Sequence, residues 1–304
     1  MKNNVSDMID DLTKSPEFKK IIERDMLLDW KSMSARIVDI HRVKITNAGL
    51  LKAGKSSFFN ALLDCSDGER FPTGAARKTI ATDEEKLEGQ LFLVDTPGID
   101  ARDEDDEKTF EAILESDIIV FIHNIKTGEY NRAEIDFINR ICDEMDSRED
   151  IKDRLIFVAS WIDEREEKSD LDEVINKMQG QLIDVCGYKP AIETISSKRY
   201  LKGLSENKEN LKSKGNVLPV RVKIVKMANN ILNMKKEMLG RHMDKLKKAT
   251  IPLLKNKVTE LKNKIERIEI EHRQRGNEIS REWRELRKTI NEKLLVLREF
   301  ETQV

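Results

Sequence analysis

At 304 residues the chain is long enough for about two domains, and its 37% charged against 5% aromatic residues suits helices with long solvated faces. No stretch approaches the roughly 18 consecutive apolar residues of a membrane-spanning helix, and the N-terminal MKNNVSDMIDDL lacks the apolar core of a secretory signal. Cys65, Cys142 and Cys186 form neither an even set for disulfides nor a metal-type cluster, so reduced thiols in a cytoplasmic protein are expected.

Residues 1–42 read as helical, with Ile21, Ile22, Leu27, Trp30 and Met33 on one apolar stripe. Beyond them, short apolar runs alternate with polar stretches: Val43–Ala48, Leu91–Val94, Ile118–Ile122, Leu155–Ala159 and Ala191–Ile195. Continuous apolar runs are what strands covered on both faces of a parallel sheet require. Phe110–Ser116 and Arg132–Met145, lying between them, have the length of crossover helices. The expectation for 43–204 is an α/β domain with a mostly parallel central sheet flanked by helices, binding its ligand beyond the carboxyl ends of the strands.

From 205 to 304 no strand pattern survives. Val258, Leu261, Ile265, Ile268, His272, Ile279 and Leu286 largely follow the alternating spacing of a heptad seam, weakened near Gly276. A helical hairpin or coiled coil is expected, entered at Gly215 and Pro219 and interrupted at Gly240 and Pro252. The closing LLVLREFETQV has no terminating Gly or Pro, so the helical region is expected to be cut short there. The net charge of −2 hides an asymmetry: from Ser205 onward about 25 Lys and Arg stand against about 14 Asp and Glu, leaving about −13 for the rest. A basic tail on an acidic body fits a polyanionic partner, membrane lipid or nucleic acid, with a solvated coiled-coil surface as the plain alternative.

The strand Val43–Ala48 runs into GLLKAGKS (Gly49–Ser56) and then the apolar Phe58–Leu63, the context a phosphate-binding loop needs. Gly49 and Gly54 let the backbone curl so that N–H groups point at phosphate oxygens. Ala53 and Ser57 complete the cradle, Lys55 is assigned to the β- and γ-phosphates, and the Ser56 hydroxyl to Mg²⁺. Leu91–Val94 ends in Asp95-Thr96-Pro97-Gly98, with Asp95 expected to hold Mg²⁺ through a water and the Gly98 N–H to sense the γ-phosphate. In the intervening FPTGAARKT, Thr79 is preferred as a metal ligand over its rivals Thr73 and Thr82. Leu155–Ala159 leads to Ser160-Trp161-Ile162-Asp163, whose carboxylate matches the N1 and N2 protons of guanine, a pattern adenine does not offer. Ile192–Ile195 leads to Ser196-Ser197-Lys198, with backbone aimed at the guanine O6. In this order the elements describe a site for GTP and GDP with Mg²⁺.

These motifs resemble the five nucleotide-binding motifs of GTPases, and most of all those of the dynamin superfamily. AGKSSFFNALL is similar to the large-GTPase phosphate loop and helix, and FPTGAARKT to the dynamin-type first switch. The resemblance covers about Lys44 to Lys202 and implies GTP hydrolysis that drives a conformational or assembly cycle. It further implies that 1–42 and 205–304 form a neck and stalk, and that the G domains pair as a homodimer or build a higher oligomer. Peripheral association with the inner face of the membrane also follows from it, whereas a protein partner on the helices belongs to the scaffold reading. The alternatives are a regulatory GTPase of ribosome or RNA-assembly type, with nucleic acid as the less favoured partner, and a GTP-gated scaffold.

Two departures from that pattern bear on mechanism. Lys52, after Leu51, stands where related GTPases carry a polar residue that helps hold a monovalent cation. Either its ammonium partly replaces that ion, joining Lys55, Thr79 and Gly98 as catalytic candidates, or it points to solvent. Trp161 stands where the base motif usually has a lysine, and its indole either stacks on the purine or packs outward. No glutamine is evident to position the attacking water. His123 and Asn124 are read as strand-end caps, and Asp100 as a partner contact or a cap for the acidic run from Asp103 to Glu107.

Overall fold

The computed structural model describes residues 5–66, 70–72, 83–98, 104–145, 147–165 and 167–301. The chain divides into two compact units, Ala35–Gly240 and Met1–Ser34 with Arg241–Val304. In chain order the elements are α1 (Val5–Lys14), α2 (Pro16–Ile21), α3 (Arg24–Asp39), β1 (Val43–Ala48), α4 (Lys55–Leu62), β2 (Asp83–Glu88), β3 (Leu91–Asp95), α5 (Glu104–Leu114) and β4 (Ile118–Asn124). There follow α6 (Arg132–Asp143), α7 (Arg148–Arg154), β5 (Leu155–Ser160), α8 (Lys168–Cys186), β6 (Ile192–Thr194), α9 (Ser197–Ser205), α10 (Glu209–Lys214) and α11 (Val217–Glu301).

In the larger unit the strands form one sheet in the order β2-β3-β1-β4-β5-β6. All neighbours are parallel except β2, which runs antiparallel to β3. The apolar runs become the inner strands: every residue of β5 is buried, and so is β4 up to His123. Sequence reading missed β2, because DEEKLE has no apolar run to signal a strand. Edge strands tolerate such charge, since one side pairs with a neighbour while the other stays wet.

Both faces of the sheet carry a core. On one, Phe58, Phe59 and Leu62 of α4 and Tyr200 of α9 join Val220, Ile224 and Ala228 of α11. On the other, Phe110, Ile138, Ile141, Met178 and Leu182 bring in α5, α6 and α8. Helix α6 starts with a capping box, in which Asn131 Oδ1 accepts from the Glu134 N–H at 3.0 Å and Glu134 Oε2 accepts from the Asn131 N–H at 3.0 Å.

Helix α11 corrects the expected interruptions. It is continuous over 85 residues, with Gly240 and Pro252 inside it, and the described residues show no hairpin there. A glycine costs a helix interior only about 1 kcal/mol, and a proline about 3, mainly through one lost backbone bond. A helix with this many other bonds absorbs both. Pro219 falls in its first turn, where a missing N–H is harmless.

In the smaller unit, Ile9, Phe18, Ile22, Trp30, Met33 and Leu246 are buried. The Trp30 indole Nε1 donates to Thr250 Oγ1 at 2.9 Å, and the hydroxyls of Ser6 and Ser34 lie 2.7 Å apart. Ser15 caps α2 by accepting from the Phe18 N–H at 3.3 Å. From Ile251 onward the apolar residues of α11 are largely exposed.

Candidate functional site

The carboxyl ends of β1, β3, β4, β5 and β6 lie side by side in the sheet, and the loops leaving them converge. The first is Gly49–Gly54, between β1 and α4. Gly49 has φ +142°, and a Cβ there would lie 2.2 Å from the Ile122 carbonyl oxygen, so the strand-to-loop turn requires glycine. Gly54 has φ +98° and ends the loop in a left-handed conformation that starts α4. Gly98, after β3, packs against the loop: a Cβ there would meet Leu51 Cα at 2.8 Å.

Lys55 is buried, and its Nζ donates to the carbonyls of Gly49 and Leu50 at 3.0 Å each. Burial lowers its pKa to about 8, partly opposed by the Asp95 carboxylate. The ammonium is therefore held by two neutral carbonyls at the N-terminus of α4. Ser56 Oγ donates to Asp95 Oδ2 at 2.8 Å, bringing the two residues assigned to the metal together. Asn47, which sequence reading missed, organises this corner. Its Nδ2 donates to Asp95 Oδ1 at 2.5 Å, and its Oδ1 accepts from the Thr96 N–H at 3.0 Å. The only signal was a polar Asn, after Thr46, at the end of a buried strand.

On the other side, a cavity of about 100 Å³ is lined by Gly54, Ser57, Trp161, Asp163, Ser197 and Lys198. Asp163 Oδ1 accepts from the Ser196 hydroxyl at 2.7 Å, and Lys198 Nζ stands 3.8 Å from Oδ2. Ser196 also caps α9, its Oγ accepting from the Arg199 N–H at 3.1 Å. Ser160 Oγ lies 2.5 Å from the Ala53 carbonyl and 2.9 Å from that of His123, so one hydroxyl ties the phosphate loop to the base-side loop. Trp161 adopts φ +65°, and its indole is close enough that a Cβ on Gly54 would lie 3.3 Å from Nε1. Lys126, also missed, holds its Nζ 5.3 Å from the Trp161 ring centroid, within cation–π range.

Lys52 sits at the exposed loop tip with φ +63°, next to an exposed Leu51. His123 and Asn124 have structural partners. The His123 ring nitrogens lie 2.8 Å from Glu134 Oε1 and 2.8 Å from the Gly128 carbonyl, and Asn124 Oδ1 accepts from the Lys126 N–H at 3.1 Å. Thr79, its rivals Thr73 and Thr82, and Asp100 lie outside the described residues.

A mostly parallel sheet, a glycine-framed loop opening a helix and a second pocket beside it define the fold of a P-loop GTPase domain. A family profile described as "50S ribosome-binding GTPase" matches residues 44–177. An uncharacterized protein of Acinetobacter baylyi is 27% identical over 180 residues, which are 58% of this chain and 40% of that protein. Among solved structures, the LeoA bacterial dynamin GTPase from ETEC superposes with a TM-score of 0.53 at 17% identity, covering 81% of this chain and 45% of its own. A member of an oligomerised bacterial dynamin pair, described as a mechanism for the long range sensing and tethering of membranes, gives 0.51 at 16% identity, covering 85% and 49%. The chain thus spans less than half of each of these proteins. Its residues 44–177 match a GTPase family profile, and the chain has the fold of these bacterial dynamins.

Proposed function

We propose that the chain is a dynamin-like GTPase that hydrolyses GTP with Mg²⁺ and couples hydrolysis to G-domain pairing and to movement of its helices. In this scheme 43–204 is the G domain, 1–42 the neck and 205–304 the stalk. One juxtaposition carries most weight: the Asp163 cavity is lined by Gly54, the last residue of the phosphate loop, and by Ser57 in the first turn of α4, which also carries Lys55. A nucleotide can then set its base at Asp163 and its phosphates at the start of α4. Asp163 accepts from the base, with Ser196 and Lys198 fixing its carboxylate. The Trp161 indole covers the purine, steadied by Lys126. Backbone N–H groups of Ala53, Gly54, Ser56 and Ser57 take the phosphates, and Lys55 exchanges its carbonyl partners for their oxygens.

The paired oxygens of Ser56 and Asp95 suit a hard cation, since Mg²⁺ takes few protein ligands beside phosphate and water. When bound, it neutralises charge across the β- and γ-phosphates. Ser56 would bind it directly and Asp95 through a water, with Thr79 as the expected third ligand. Gly98 meets the γ-phosphate from the other side, and Lys52 adds a positive charge at the loop tip.

Coupling to the helices is supported by how α11 is rooted in the larger unit. Asp64, just past α4, accepts from the Tyr200 hydroxyl at 2.5 Å and from Arg221 Nη1 at 3.1 Å. The Ser196 N–H donates to the Gly215 carbonyl at 2.9 Å, two residues ahead of α11. A shift of either nucleotide loop is thereby felt at the base of that helix. The exposed Leu51 beside the nucleotide supports pairing of G domains, and a bacterial dynamin of this fold is described as an oligomerised pair. Among the described residues no helix is long and apolar enough to cross a membrane.

Turnover of GTP measured against protein concentration, with GDP and ATP as competitors, tests the proposal. Specific activity should rise with concentration, GDP should compete and ATP should not. Flat specific activity would remove catalytic pairing, and effective ATP competition would remove the guanine assignment. A second possibility, a GTPase acting on the ribosome, is favoured by the description of the matching family profile. Binding to ribosomes or RNA that weakens steeply with salt, without binding to anionic liposomes, would select it.

A further inference from the structure

Past the helices that cover Leu246 and Thr250, α11 shows a seam of apolar side chains to solvent. Val258, Leu261, Ile265 and Ile268 are 51%, 48%, 57% and 45% exposed. Such a continuous apolar stripe on a bare helix marks an interaction surface. The charges beside it identify the occupant. With Val258 and Ile265 at position a of a heptad and Leu261 and Ile268 at d, the flanking e and g positions are Lys262 and Lys264, then Glu269 and Glu271. Basic flanks are followed by acidic ones, and among the described residues none of these four has an ion-pair partner.

We propose that this segment pairs with the same segment of a second copy as an antiparallel coiled coil centred between Glu266 and Arg267. Ile265 then packs on Ile268 of the second copy, Leu261 on its His272, and Val258 against the aliphatic stem of its Arg275 at the wet end of the seam. In this register Lys262 faces Glu269 of the second copy and Lys264 faces its Glu271, each contact occurring twice by symmetry. A parallel, in-register pair is less favoured, because its attraction of Lys264 to Glu269 of the second copy is offset by Lys257 set against Lys262. His272, at the margin of the apolar layers, penalises registers that would bury it at the centre, as single polar core residues do in other coiled coils. This surface is distinct from any pairing of the G domains and needs no nucleotide.

Sedimentation of the nucleotide-free protein over a range of concentrations tests the pairing. A reversible dimer is expected, weakened roughly tenfold or more by Lys262→Glu with Lys264→Glu, since each of several flanking contacts becomes a repulsion. Adding Glu269→Lys and Glu271→Lys to that variant swaps the charges and should restore the original affinity. For direction, Val258→Cys combined with Arg275→Cys should give a disulfide-linked dimer under mild oxidation. Val258→Cys alone should not, because in an antiparallel pair the two Val258 residues stand about 25 Å apart along the axis. All these positions are exposed, and unchanged GTP turnover by the dilute protein would show that the variants fold. The proposal is overturned if the protein stays monomeric without nucleotide, if the charge-swapped variant is not restored, or if Val258→Cys cross-links alone. Dimerisation that appears only with GTP and ignores the charge reversals would likewise overturn it, leaving G-domain pairing intact.

Discussion

The two halves of the nucleotide site are built on different principles. The phosphate half is one contiguous stretch, Gly49–Ser56, shaped by backbone conformation and by the close approach of Gly49 to the Ile122 carbonyl. The base half is assembled from side chains on the loops after β4, β5 and β6, with Lys126, Trp161, Asp163 and Ser196 drawn from distant parts of the chain. Backbone shape constrains a site through sterics and treats all nucleotides alike. Side-chain pockets discriminate, and they tolerate replacement of their parts. Trp161 can therefore stand in an unusual place while Gly49 cannot change.

The sharpest way to expose this contrast is to damage each half separately. Gly49→Ala should be the most severe change, because its Cβ would lie 2.2 Å from backbone that cannot retreat without moving β4. The expected loss of stability is about 3–5 kcal/mol, read as a lower denaturation midpoint, together with loss of binding to GTP and ATP analogues alike. Asp163→Asn should leave the fold nearly intact and lower GTP affinity about 10- to 1,000-fold, as the charged acceptor for two guanine protons disappears. Xanthosine triphosphate should gain affinity, since the new amide can donate to the xanthine C2 carbonyl. Displacement of a fluorescent nucleotide measures both effects. Equal losses for GTP and XTP would mean that Asp163 does not read the base.

The same contrast explains what could be read from the chain beforehand. The phosphate loop, the inner strands and the order of the motifs were legible because each is a local pattern of glycines or apolar runs. β2 was not, because an edge strand can be as charged as DEEKLE. Asn47 and Lys126 were not, because their importance lies in the partners that the sheet brings to them across 48 and 35 residues, Asp95 and Trp161. Val220, Ile224 and Ala228 carry no mark in the sequence that sends the start of α11 to the core of the sheet. Gly240 and Pro252 misled in the opposite direction, since local breakers do not stop a helix whose remaining bonds outweigh them.

A smaller effect concerns only the phosphate half. In the free protein Lys55 has a pKa of about 8, because burial disfavours its charge, and bound phosphate should raise it again. The bound state then holds a proton that the free state releases above about pH 8. Nucleotide affinity should be flat below that point and fall up to about tenfold per pH unit above it. Calorimetry in buffers of differing ionisation enthalpy should detect proton uptake on binding near pH 8.5, and none should be seen with Lys55→Arg, whose guanidinium stays charged. Absence of uptake would show that the lysine is already fully charged before nucleotide arrives.

The smallest expected effect falls on Lys52, where the two principles meet in one residue. Its backbone has φ +63°, a left-handed conformation that costs a residue with a Cβ about 1 kcal/mol. Lys52→Gly relieves that cost and should raise stability by about 0.5–1 kcal/mol, seen as a small rise in the thermal midpoint. If the side chain merely points into solvent, turnover should not change. If its ammonium helps to offset charge as the γ-phosphate bond breaks, turnover should fall severalfold with GTP affinity nearly unaltered, since the contribution is made mainly in the transition state. Potassium should then stimulate the variant more than the parent, because an ion can enter the space that the ammonium left. A more stable variant with a lower turnover number would mean that the strained lysine is retained for chemistry. Unchanged turnover would confine catalysis to the glycine-framed backbone and Lys55.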